Sequence, residues 1–133
     1  MFAIDPRITR SASPLLELPL STVLLKEDAR WPWLILAPRM AGAVELTDLS
    51  EPDAARLLSE IRSAARAIAQ EPGVERTNIG ALGNVVPQLH VHVIGRWEGD
   101  AAWPGPVWGV EGKVAYAPAE RAARVARITA RLT

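Results

Sequence analysis

Pro87-Gln88-Leu89-His90-Val91-His92-Val93-Ile94-Gly95-Arg96 is the stretch on which the reading of this chain turns. It holds both histidines of the sequence, two residues apart, within a run of Leu, Val and Ile. Apolar residues alternating with polar ones over this length predict a half-buried β-strand. Side chains at i, i+2 and i+4 of a strand share one face. Gln88, His90 and His92 then form a polar row, while Leu89, Val91 and Val93 face a core. A slip of one residue would bury both imidazoles, so the apolar row also fixes their aim.

Working outward, Thr77 to Leu82 predicts the preceding strand and Gly83 to Pro87 a turn. Upstream of these, Ser50 to Asp53 offers an N-cap serine, an early proline and a carboxylate at the third position, and opens a helix. Ala54, Leu57, Leu58, Ile61, Ala65 and Ile68 recur at helical spacing as its inner stripe, with Arg56, Glu60, Arg62 and Arg66 mostly off it. Pro72-Gly73 stops it. Further upstream, Leu20 to Lys26 and Trp33 to Ala37 predict two antiparallel strands joined by the polar turn Glu27 to Pro32, with a further short strand expected at Ala43 to Leu46. Residues 1–19, with Pro6, Pro14 and Pro19, predict an irregular arm with at most a short helical turn. Downstream, Trp97 to Gly112 is too rich in Pro and Gly for a regular element. Pro118 opens a second helix to Leu132, its inner face formed by Ala122, Val125, Ile128 and Leu132. Strands, helix, strands, helix is the order of an α+β protein with a mainly antiparallel sheet.

The chain has 133 residues, a size that predicts a single domain spanning 1–133. Fifteen basic and fifteen acidic residues cancel, so no overall field draws it to nucleic acid or to a membrane. There is no Cys, which excludes disulfides, zinc–thiolate sites and thiol catalysis. The apolar runs are shorter than a membrane span and no signal peptide is evident, so the expected location is cytoplasmic.

The segment Gln88 to Ile94 resembles the signature of the histidine triad (HIT) family, in which three histidines alternate with apolar residues along one strand. The three triad positions fall on Gln88, His90 and His92, so Gln stands where the family has its first His. The resemblance extends to Asn78-Ile79-Gly80-Ala81-Leu82-Gly83-Asn84, with Asn84 where the family usually has Gln. It implies a HIT-like fold, an α+β domain with a mainly antiparallel sheet of about five strands and two helices, commonly paired as a homodimer. It implies a nucleotide hydrolase or transferase acting at an α-phosphate through a covalent nucleotidyl-His90, on a phosphoramidate or a dinucleoside polyphosphate such as diadenosine tetraphosphate. The implied mechanism requires no cofactor and no metal, though a divalent ion could accompany a polyphosphate substrate.

The residues support that chemistry in their own terms. A neutral imidazole is a competent nucleophile near neutral pH once an acceptor fixes the proton on its other nitrogen. The phosphoryl oxygens need donors, which His92 and the carboxamides of Gln88 and Asn84 can supply. Gln88 can donate a hydrogen bond but cannot deliver a proton as an acid. That leaves open a non-catalytic nucleotide-binding module on the same fold. Asn78, Gly83 and Asp28 complete the expected nucleotide-binding set, Asp28 from a loop where the family often contacts ribose. Arg30, in the same loop, shares the status of Asp28, Arg96 is a candidate for a phosphate or for the chain terminus of a dimer partner, and Trp103 and Trp108 are candidates for stacking on a base. A His-x-His metal site is the remaining alternative, although its further ligands would have to be Asp or Glu.

Overall fold

The computed structural model describes residues 1–132. In chain order the elements are α1 (Pro6–Thr9), β1 (Ala12–Glu17), β2 (Ser21–Lys26), β3 (Trp33–Pro38), a 3-10 turn at Leu46–Asp48, α2 (Glu51–Ala69), β4 (Arg76–Gly80), β5 (Val91–Arg96) and α3 (Pro118–Leu132). The five strands form one sheet in the order β1-β2-β3-β5-β4, each neighbouring pair antiparallel. This is the expected α+β architecture, with α1 as a third, four-residue helix.

Period-two side-chain alternation divides the core into two layers. On one face Val23, Leu25, Leu34, Leu36, Val91 and Val93 pack with Leu89 under Leu57, Ile61, Ala64 and Ile68 of α2 and Ile128 of α3. On the other, Leu24, Trp33, Ile35, Ala37 and Ile94 are covered by Ile8, Ala12, Trp31 and Val107. Every residue of β5 is therefore buried. The half-buried strand expected from its alternation is corrected: the polar face is roofed by the N-terminal segment and by the irregular stretch after β5.

The ends of α2 follow the sequence. Ser50 is the N-cap and its hydroxyl accepts from Asp53 N–H at 3.3 Å, and Gly73 takes φ +82°, a conformation suited to glycine, three residues past the C-cap Gln70. Four expectations are corrected. Residues 12–17 are not an irregular arm but a strand, because β1 is an outer strand whose register shifts between Pro14 and Leu16 and so tolerates the missing donor of proline. The strand expected at Ala43 to Leu46 is replaced by the 3-10 turn. On α2, Leu58 is exposed while Glu60 is buried, its Oε2 accepting from Leu20 N–H at 2.8 Å. On α3, Ala122 is exposed, and the arginines are not a solvated face. Arg124, Arg127 and Arg131 converge on the buried carboxylate of Glu71 at 3.0, 2.9 and 2.7 Å.

Candidate functional site

The two histidines stand at the entrance to β5, an inner strand between β3 and the outer strand β4. β5 begins at Val91, so Gln88 and His90 precede the hydrogen-bonded ladder, which runs Leu36↔Val91 and Ile35↔His92 against β3. His90 and His92 nevertheless share one face, their rings 5.0 Å apart and inclined at 64°. Each is 8% exposed. His90 Nδ1 lies 2.6 Å from the carbonyl oxygen of Gln88. A carbonyl only accepts, so Nδ1 carries the proton, and the neutral ring keeps its lone pair on Nε2.

His92 packs against two indoles. Trp33 Nε1–H donates to its Nδ1 at 2.9 Å, and Trp108 meets its ring edge-on at 5.6 Å. Burial, with His90 and the Lys26 ammonium, pushes His92 from its ordinary 6.5 down to about 3, so the ring is uncharged near neutrality. Trp108 reaches this position because β4 carries Gly80 beneath it. A Cβ there would lie 2.7 Å from the indole.

Clefts open on both sides of the pair. One, of 280 Å³, runs from His92 past Trp33 and Trp108 to Lys26, Asp28, Arg30 and Lys113. Burial acts to raise the Asp28 carboxyl, but hydrogen bonds from Arg30 and from Val114 N–H outweigh it and keep the group ionised. The other, of 240 Å³, is bounded by His90, His92, Gly83 and Asn84 with Leu82, Val85 and Val86. A smaller recess of 110 Å³ joins His90 and Gln88 to Glu45 and Thr47. His90, His92, Gly83 and Asn84 are thus brought together, and Asp28 lies in the cleft beyond His92.

Three candidates are engaged elsewhere. The Gln88 carboxamide clasps the N-terminal segment, Oε1 accepting from Asp5 N–H and Nε2 donating to Ala3 O, both at 2.8 Å. Asn78 Oδ1 accepts from Arg96 Nη1 at 2.7 Å. Arg96 is 1% exposed and paired with the buried Asp100, and it also donates to Gly105 O, so it ties the covering segment to β5 rather than presenting charge to solvent. Trp103 lies against this guanidinium, its ring centroid 5.7 Å away, whereas Trp108 lines the cleft beside His92. Sequence reasoning missed Trp33 and Lys26 as neighbours of His92. Trp33 sits in a continuous apolar run that signals only core, and its closeness to His92 depends on a register between strands 59 residues apart. Among the described residues no group of three or more His, Cys, Asp or Glu is placed to hold a metal ion.

An antiparallel α+β sheet that carries two buried imidazoles at the head of an inner strand, with a cleft on either side, defines the class. The HIT domain model matches residues 9–99, and the chain belongs to the histidine triad family, a family of nucleotide-binding proteins. It is similar over nearly its whole length to a solved histidine triad protein of Bradyrhizobium japonicum, at 42% identity and a TM-score of 0.96, covering 99% of this chain and 98% of that one. A histidine triad (HIT) protein of Sinorhizobium meliloti is 44% identical with a TM-score of 0.94, covering 98% and 96%. One from Marinobacter aquaeolei is 40% identical with a TM-score of 0.94, covering 99% and 96%. No curated protein matches the chain.

Proposed function

We propose that this chain is a cytoplasmic nucleotide hydrolase or nucleotidyl transferase that acts on the α-phosphate of a nucleoside phosphoramidate or dinucleoside polyphosphate. The observation that carries the reading is the 2.6 Å contact of His90 Nδ1 with the Gln88 carbonyl, which leaves the Nε2 lone pair on a ring that borders the cleft. In the reaction, Nε2 attacks phosphorus and a phosphorus–nitrogen bond forms. The bond from phosphorus to the leaving group breaks, and that group departs with the electron pair. Water then attacks the same phosphorus, the phosphorus–nitrogen bond breaks, and His90 is regenerated with release of the nucleoside monophosphate. An acceptor other than water makes the second step a transfer. His92 and Asn84 supply hydrogen bonds to the phosphoryl oxygens. The nucleoside occupies the cleft between Asp28 and Trp108, where Lys26 and Lys113 favour an anionic ligand.

The test is incubation with an adenosine phosphoramidate or dinucleotide labelled at the α-phosphorus, followed by quenching. Label on His90 is expected, lost in His90→Ala while nucleotide affinity stays within about 3-fold.

A second reading, a nucleotide-binding module without turnover, is favoured by the engagement of Gln88. Its carboxamide is held by Ala3 and Asp5, and it is no proton donor for a departing amine. Gln88→His is therefore expected to loosen the N-terminal segment without raising turnover on poor leaving groups. A gain of about 10-fold or more would show instead that acid help at this position was the missing part. Wild-type protein that binds nucleotide but never labels would establish the module.

We also propose a homodimer. β4 is the outer strand of the sheet, and Ile79 on it, Leu82 and Val85 just beyond it, and Leu58 on α2 are exposed apolar residues.

A further inference from the structure

We propose that Trp33 is a positioning residue: by donating its indole N–H to Nδ1 of His92, it holds that imidazole with its proton on Nε2 and makes it a fixed hydrogen-bond donor to the phosphoryl group. The proposal rests on the reading above that a phosphate is bound at His90.

An indole nitrogen can only donate. At 2.9 Å from Trp33 Nε1, the Nδ1 of His92 must present its lone pair, because a proton there would set two N–H groups against each other. The ring has little room to turn away. Trp33 is 5% exposed and packed on Trp31 at 6.2 Å, and Trp108 meets the imidazole edge-on at 5.6 Å. The neutral ring therefore carries its only proton on Nε2.

His90 is held in the opposite form, since its Nδ1 faces a carbonyl. Two neighbouring imidazoles thus have different jobs set by different partners. One keeps a lone pair for attack, and the other keeps a proton for donation. A Phe at position 33 would fill much of the same space but could not make this assignment.

The charged groups around His92 act in the same direction. Lys26 acts on it from β2, its ammonium 5.3 Å from the Trp33 ring, and Lys113 of the covering segment lines the same cleft. Asp28 and Arg30, from the turn between β2 and β3, pair with each other. His90 approaches from the head of β5. The balance is cationic and disfavours an imidazolium. His92 consequently donates at every working pH and contributes no ionisation of its own to the rate.

The experiment is heteronuclear NMR on the full-length 15N-labelled protein without substrate. A scalar coupling across the hydrogen bond, from Trp33 Nε1 to His92 Nδ1, is expected in wild type. His92 should show an unprotonated Nδ1 and a protonated Nε2 that do not titrate between about pH 5 and 9. In Trp33→Phe, checked for folding by its amide spectrum, His92 should populate both neutral forms, since the indole N–H that selects one of them is gone while the burial that keeps the ring uncharged remains. Turnover of Trp33→Phe should fall about 10-fold with affinity little changed. Absence of the coupling, a proton on His92 Nδ1 in wild type, or an unchanged His92 in the variant would overturn the proposal. The spectra need no substrate, so their failure removes the role of Trp33 and leaves labelling at His90 untouched. Intact spectra with no labelling would remove the reaction instead.

Discussion

The proton that His92 refuses in the folded chain is one it accepts when unfolded. Its ordinary value is 6.5 and burial, then His90 and Lys26, lower it to about 3. Between those values the unfolded state binds more protons, so stability falls as pH drops from about 6.5 and levels out below about 3, at up to about 1.4 kcal/mol per pH unit. Glu71 and Asp100 lose stability only at lower pH: burial acts to raise both carboxyls, but their arginine partners outweigh it and hold them below the usual carboxylate range. Over about pH 6.5 to 4.5 the His92 contribution is therefore lost while those two carboxylates still hold. Urea unfolding at about pH 7, 6 and 5 should give a falling midpoint in wild type and a much flatter one in His92→Gln. Parallel curves would assign the loss to some other group. At this scale the sequence was informative for what lies close along the chain. The spacing of His90 and His92 set their common face. The roles of Gln88 and Arg96 were not legible, because each is decided by a partner that the chain brings back from elsewhere: Ala3 and Asp5 for the first, Asp100 within the covering segment for the second.

At the scale of elements, α2 was readable because its signals are local: the Ser50 cap, the helical spacing of Leu57, Ile61 and Ile68, and the stop at Pro72-Gly73. β1 was not, since Pro14 argues against a strand in any position except an outer one, and position in a sheet is a tertiary fact. The arginines of α3 were unreadable for the same reason. Only the folded chain brings Glu71, just past the end of α2, beneath Arg124, Arg127 and Arg131. That carboxylate fastens α3 to the end of α2. Glu71→Ala is expected to cost about 2 kcal/mol, less than for a fully dry network because the arginines keep contact with water. The loss should appear in urea unfolding, with faster amide exchange concentrated in α3. A change under about 0.5 kcal/mol would make the cluster incidental.

For the whole molecule, the outer strand β4 and the exposed Ile79, Leu82 and Val85 bear on assembly. Sedimentation equilibrium is expected to give a dimer, and Ile79→Lys a shift of at least about 10-fold toward monomer. A monomer at all concentrations would overturn the dimer without touching the chemistry. The two-sided roofing of the sheet has a separate consequence, for where the chain can accept change in length. One residue inserted between Val91 and His92 would turn His92 toward the α2 side and take its ring away from Trp33. The stretch from Trp97 to Ala117 holds no helix or strand, and it lies over the sheet by way of Arg96, Val107 and Trp108. Its segments between those anchors can lengthen or shorten while the ladder beneath keeps its register. The framework that aims the imidazoles and the roof that shapes what reaches them are therefore separable, and the roof is the part open to re-cutting for a different ligand.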